Sequence, residues 1–329
     1  MNDETLARLV TDAVADVEPA DCLDDIRART ATSAAGSRRH LFIAGGSVLA
    51  AAAAVVAIAL VTVALNQPSA EAPPTDDPTR IIDTPTPSAH AVPLYFVGDT
   101  GRGPRLFREF QVDTGLAGVA EALELLSDGP EDPDYRTLWP AGSFAGGKVR
   151  GDVIDVVIAD AALHDRPASM TEDEAALALE QVIFTVQAVV GQRLGVQFRY
   201  GDNPVDMVLG QPTSEAVSSA EPLDVLSLMS VTSPSEGEVV SGSFVAEGVN
   251  NGYEATMNWR LEDAAGDMVL DGFATAEGWT GTKLFPWRTD PIDVSGLAPG
   301  TYEFVAANPD PSDGEGFPPD TDTRSITVE

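Results

Sequence analysis

The chain has 329 residues, 19 of them basic and 52 acidic, with a formal net charge of −33. So negative a surface repels nucleic acid and anionic lipid headgroups, and no basic patch in the sequence offsets it. The one cysteine, Cys22, excludes an internal disulfide framework, so any fold must rest on its own apolar cores.

Residues 1–40 read as a cytoplasmic tail. Leu6, Leu9, Val10 and Val17 recur near helical spacing and Pro19 closes the segment. The tail is either a short amphipathic leader or a docking segment for a cytoplasmic partner such as a sigma factor. Residues 41–65 carry no charge over 25 positions. At about 1.5 Å per residue they span roughly 37 Å as a helix, enough for a ~30 Å hydrocarbon core, and a transmembrane helix is predicted. Arg38 and Arg39 precede the run directly and the next basic residue after it is Arg80, which orients the N-terminus to the cytoplasm and residues 66–329 outside. A cleaved signal peptide ending at Ala70-Glu71-Ala72 is the rival reading, against which the apolar run is too long. Gly46, Ala50 and Ala54 place small residues four apart and permit helix pairing, hence self-association. Residues 66–329 hold 14 basic and 44 acidic residues, and their only lysines are Lys148 and Lys283. That acidity reads as solubility or life in salt, or else as a surface for cations or basic partners.

Residues 66–91 form a proline-rich linker with Pro68, Pro73, Pro74, Pro78, Pro85 and Pro87. Repeated proline favours extended polyproline II, which at ~3.1 Å per residue reaches up to ~80 Å from a bilayer.

Residues 92–222 are expected to form an α/β domain. Strands are predicted at Pro93 to Val97 and Arg105 to Val112, and Gly98 to Gly103 between them reads as a hairpin turn, lacking the Lys-Ser of a phosphate loop. Leu116, Val119, Leu123 and Leu126 mark a helix face that Gly129-Pro130 ends. A hairpin is expected over Lys148 to Ile158, turning at Gly151-Asp152. Thr171 to Glu174 reads as a capping box opening a helix with Leu179, Val182, Ile183, Val186 and Val190 on one face and Gly191 as its stop. A last strand runs from Gly195 to Tyr200. The order β-β-α-β-β-α-β implies a sandwich with the helices on one sheet face.

Residues 223–329 show no long helical period. Short strands are predicted at Val225 to Thr232, Val239 to Gly248, Glu254 to Leu261, Met268 to Ala276, Thr282 to Arg288, Gly300 to Ala306 and Thr323 to Val328, which suggests an antiparallel β-sandwich. Trp259 and Trp287 fall within strands and read as core anchors.

Taken in order, VPLYFVGD, AEALELLSDGP with Tyr135 after it, TLWPAGSF, ALEQVIFTVQAVVG and VQFRYGDNP resemble the GerMN domain of sporulation and germination proteins. The stretches VTSPSEGEVVSGSFVAEGV, EATMNWRLEDAAGDMVLDG and PSDGEGF resemble the immunoglobulin-like domain that accompanies it. The resemblance implies a ring-building-motif-like α/β sandwich followed by an Ig-like sandwich, working by protein packing, with no catalytic residue to carry over.

The residues themselves point away from catalysis. His90 and His164 stand apart, and no G-x-S-x-G elbow occurs. Pairs such as Glu172/Glu174 and Glu262/Asp263 are too common in so acidic a chain to mark a site. No catalytic, cofactor or metal residue is assigned. The one weak metal candidate is calcium at Asp310, Asp313, Glu315, Asp320 and Asp322, hard oxygen ligands whose spacing does not fit an EF-hand. The sequence thus predicts an integral, single-pass envelope protein that binds envelope proteins, cell-wall components or its own copies, with a link to sporulation or germination. The alternatives are a ligand sensor signalling through the tail and an envelope hydrolase using His164.

Overall fold

The computed structural model describes residues 90–113, 118–279, 281–310, 315 and 318–329, all within one unit spanning 70–329. The expected tail, membrane span and linker up to residue 89 lie outside the described residues. Among those described, no helix is long and apolar enough to cross a membrane. The architecture is mostly β, in sandwich-like sheets with few helices.

Strands β1 (His90–Thr100) and β2 (Gly103–Asp113) pair antiparallel across a turn that lies within the expected Gly98 to Gly103 and is tighter, only Gly101-Arg102, where Arg102 N donates to Thr100 Oγ1 at 3.1 Å. Helix α1 (Val119–Asp128) follows and ends at Gly129. Strands β3 (Phe144–Arg150) and β4 (Val153–Ile158) form the second predicted hairpin, and a 3-10 turn (Ala161–His164) leads on towards the next helix. Helix α2 (Glu172–Val190) opens with the full capping box. Thr171 Oγ1 accepts from Glu174 N, and Glu174 Oε2 accepts from Thr171 N. Gly191 closes it in the left-handed region, φ 69°. Strand β5 (Gly195–Tyr200) runs parallel to β4. With the short β6 (Asn203–Pro204) it completes a sheet in the order β3-β4-β5-β6. A small ribbon, β7 (Met207–Val208) with β8 (Gln211–Pro212), was not foreseen.

The expected single sheet with helices on one face is corrected. The β1–β2 hairpin forms a sheet of its own, separate from β3-β4-β5-β6. The reason lies in β1, which is apolar on both faces. Val92, Leu94 and Phe96 join the first core with Leu123 and Leu126 of α1 and Val182 and Ile183 of α2. Tyr95 and Val97, on the opposite face, join a separate cluster with Leu106, Phe184 and Leu226. A ribbon buried on both sides acts as a wall between two cores.

Helix α3 (Pro222–Val225), a single turn, leads into the second domain. It replaces the start of the strand predicted from Val225, and β9 covers only Met229–Ser233. The stretch predicted as one strand from Val239 to Gly248 is likewise split into β10 (Glu238–Val240), β11 (Ser243–Phe244) and β12 (Glu247–Asn250), which belong to three different sheets. The positive φ of Gly242, 69°, breaks the run. Strands β13 (Thr256–Glu262) and β14 (Met268–Thr275) form a hairpin. They are followed by β15 (Phe285–Arg288), β16 (Ile292–Asp293), β17 (Gly300–Ala307) and β18 (Thr321–Val328). One sheet orders β10-β18-β17-β13-β14, with β10 and β18 parallel, and another orders β15-β12-β9. Their shared core holds Met257, Leu261, Phe304, Ile326 and the expected Trp287, 3% exposed. Trp259 packs against that core only partly buried, its ring 6.2 Å from that of Phe304.

Candidate interdomain site

Along β18 the side chains alternate, and Asp322, Arg324, Ile326 and Val328 share the buried face. Ile326 and Val328 enter the sandwich core. Asp322 and Arg324, on the same face nearer the strand start, meet the first domain instead.

The first domain supplies the loop between α1 and β3. Buried Glu109 of β2 accepts from the backbone N–H groups of Glu131 and Asp132, both at 3.0 Å. Trp139 Nε1 donates to Ala178 O of α2 at 2.9 Å, and Gln181 accepts from Leu138 N. Arg136 exchanges backbone hydrogen bonds with Val97 of β1. Phe107 and Tyr135 stack with ring centroids 5.0 Å apart beside Gly98, where a Cβ would stand 2.7 Å from Phe107 and 3.2 Å from Tyr135. The loop is therefore held at several points before Asp132 and Tyr135 reach the second domain.

Arg324 is the centre of the seam. Its Nη1 donates to Asp132 Oδ2 at 2.6 Å, to Tyr135 Oη at 2.9 Å and to Asp322 Oδ1 at 3.2 Å, and its Nη2 donates to Val231 O at 2.9 Å. Tyr135 Oη in turn donates to Asp322 Oδ1 at 2.5 Å, and Val231 N donates to Asp322 Oδ2 at 2.6 Å. Thr323 Oγ1 adds a bond to Asp134 Oδ2 at 2.6 Å. Arg324, Asp132 and Asp322 are each almost fully buried.

Two carboxylates share this one guanidinium, so full ionisation leaves a net negative charge in a buried seam. Burial pushes Asp132 up to about 7 against the pull of Arg324. Burial opposes the charge on Arg324 as well, but Asp322, Tyr135 and Asp132 outweigh it and hold the guanidinium above its ordinary range. Burial, then the neighbouring Asp322, keeps the Tyr135 phenol protonated, well above its usual value.

Around the cluster, Arg102 at the tip of the β1–β2 hairpin pairs with Asp320 at 3.1 Å, and Gly101 packs beside Pro318. Ser227 N donates to Leu106 O, and Arg108 Nη2 donates to Thr232 Oγ1 at 3.0 Å. The apolar part of the seam is Val97, Leu106, Phe184 and Leu226.

Of the calcium candidates, Asp320 and Asp322 thus belong to the seam, each facing an arginine. Glu315 is exposed, Asp310 lies three residues past the end of β17, and Asp313 falls outside the described residues. Among the described residues no group of three or more His, Cys, Asp or Glu gathers as a metal site. His164 ends the 3-10 turn with its ring edge-on to Tyr200 at 6.2 Å and its Nε2 buried without a hydrogen-bond partner. Glu174 belongs to the capping box, Glu262 pairs with Arg260, and Asp263 accepts from Ala265 N and Asp267 N in the turn before β14. The sequence reading missed the seam. Its signal was present in TDTRSITV, where Asp322 and Arg324 fall on the alternating positions that Ile326 and Val328 mark as inward.

The second domain answers to a known family model. Residues 228–315 match the immunoglobulin-like domain of bacterial spore germination. The matched stretch includes β9 to β17, and the acidic and basic side chains of β18 follow it. Eight chains of solved structures are similar to this one, two of which follow. The tandem GerMN domains of the sporulation protein GerM from Bacillus subtilis share 11% identity over 44% of this chain and 51% of that one, with a TM-score of 0.29. CopC from Methylosinus trichosporium OB3b shares 21% identity over 31% of this chain and 93% of that one, with a TM-score of 0.21. Superpositions this loose carry nothing further for the present chain. No curated protein gives a significant match.

Proposed function

We propose that the protein is a binding or scaffold module of the cell envelope that serves sporulation or germination. A single span at 41–65 anchors it, with the N-terminus in the cytoplasm and the GerMN-like and Ig domains outside. The germination-type Ig domain supports the process, and the uncharged run behind Arg38 and Arg39 supports the anchor. The observation that carries the reading is the Arg324 seam. Asp132 and Tyr135 of the first domain complete the Arg324–Asp322 pair of the second, so the two present one joined surface, and a joined surface acts by contact. Envelope proteins, cell-wall components or second copies are its partners, and no residue of the chain is assigned a catalytic role. The test is a proximity-labelling enzyme fused after Glu329 in living cells. Labelled exported and envelope proteins are the expected result; a label confined to cytoplasmic proteins contradicts the reading.

A further inference from the structure

Beside the seam a cleft of about 270 Å³ opens between the two domains. Its apolar wall is built by Tyr95, Leu106, Phe184, Leu226 and Leu284. Its charged groups are Arg108, Arg193 and Lys283, and no aspartate or glutamate lines it. In a chain with 52 acidic and 19 basic residues that is an unusual gathering. Elsewhere the cations are mostly spoken for. Arg102, Arg136, Arg150, Arg199, Arg260, Arg288 and Arg324 each pair with a carboxylate. Among the described residues, Arg105, Arg108, Lys148, Arg166, Arg193 and Lys283 make no ion pair, and of these Arg108, Arg193 and Lys283 gather in the one cleft.

Two of these cations also have fixed neighbours. Arg108 is fixed by its bond to Thr232 and lies 5.0 Å over the Phe110 ring, while its Nε is buried with no hydrogen-bond partner. Lys283 Nζ stands 5.0 Å from the centre of the Phe285 ring. Ser227 and Ser230, both nearly fully buried, add hydroxyls at the base. Three cations beside an apolar wall call for a ligand that brings both a negative head and a greasy body.

We propose that this cleft binds a small organic anion with an apolar body of one or two rings, its carboxylate or phosphate head set against Arg108, Arg193 and Lys283. The inference goes beyond the scaffold reading and does not depend on the membrane anchor. The volume suits a single compact molecule, at the lower end of ligand cavities. An acidic peptide is the competing occupant and is treated as an outcome of the test.

The experiment titrates the full chain, held in nanodiscs of zwitterionic lipid, by isothermal calorimetry, with empty nanodiscs subtracted. The probes are 2-naphthoate, 2-naphthyl phosphate, the neutral 2-naphthylmethanol, inorganic phosphate and a glutamate-rich peptide. At least one naphthyl anion is expected to bind, with the neutral alcohol and inorganic phosphate at least roughly tenfold weaker. Which naphthyl anion binds more tightly identifies the head group. Arg193→Ala and Lys283→Ala are each expected to weaken the anion by roughly tenfold while leaving the melting temperature in place. Ala188→Trp, at the cleft wall, is expected to block it. Absence of heat with both anions at millimolar concentration overturns the proposal. So does equal affinity for the neutral alcohol, affinity unchanged in both cation variants, or binding of the peptide alone.

Discussion

Arg324 and Tyr135 lie 189 residues apart and in different domains, yet the guanidinium Nη1 stands 2.9 Å from the phenol oxygen and Cζ lies 5.3 Å from the ring centre. The contact has a charged half and a stacked half, and both depend on the two domains keeping one arrangement. Removing the guanidinium leaves Asp132 and Asp322 buried without their cation. Arg324→Met is therefore expected to destabilise the protein by about 3–5 kcal/mol, read by chemical denaturation. Tyr135→Phe removes one donor and one acceptor and is expected to cost about 1–2 kcal/mol.

The seam also sets a pH dependence. Asp132 takes up its proton at about 7 in the folded protein, against an ordinary value of 3.8. Between those values the folded state holds the extra proton, so the contribution of Asp132 to stability is greatest at the acid end and is lost as pH rises through about 7. Burial raises Glu131, Glu180 and Glu303 too, with the same sign. Thermal melts from acid to mildly alkaline pH are expected to fall in that window. Asp132→Asn is expected to flatten part of the fall, and a slope unchanged in that variant would assign the effect elsewhere.

Strands β9 and β12 meet at Gly248, where a Cβ would stand 2.2 Å from the backbone Ser230 O and 2.4 Å from the Trp287 ring. The backbone oxygen cannot rotate away. Gly248→Ala is expected to destabilise the Ig domain by about 1–3 kcal/mol and to alter the near-ultraviolet circular dichroism of Trp287.

Calcium finds its best-placed oxygens already committed. Asp320 faces Arg102 and Asp322 accepts from Tyr135, Val231 and Arg324, so metal binding there has to break the seam. Millimolar calcium is expected to leave the melting temperature of the wild type unchanged. A rise would show that the loop from Asp310 to Asp320 gathers ligands of its own.

Local order was legible in the sequence wherever a single short-range rule decided it. The capping box at Thr171, the stop at Gly191, a turn within Gly98 to Gly103 and the turn at Gly151-Asp152 all form as their residues dictate. Alternation was the harder rule to apply. In β1 both faces are apolar, so periodicity located a strand but not its sheet, and the ribbon's place between two cores depends on Phe184 and Leu226 from distant segments. The stretch from Val239 to Gly248 is apolar enough for one strand, but the turn at Gly242 sends its parts to different sheets. The candidate site was hidden for a related reason. Asp320 and Asp322 look like metal ligands when read with their neighbours in sequence, and only the fold brings Arg102, Arg324 and Tyr135 to them.

The Arg324 seam holds the two domains in one arrangement, and the distance across it reads this directly. Spin labels at Lys148→Cys on β3 and Met268→Cys on β14, in a Cys22→Ser background, report the distance between them by pulsed electron resonance. One narrow distance distribution is expected, and it is expected to broaden in Arg324→Met. A broad distribution in the otherwise unaltered chain, or a narrow one indifferent to Arg324, would contradict it.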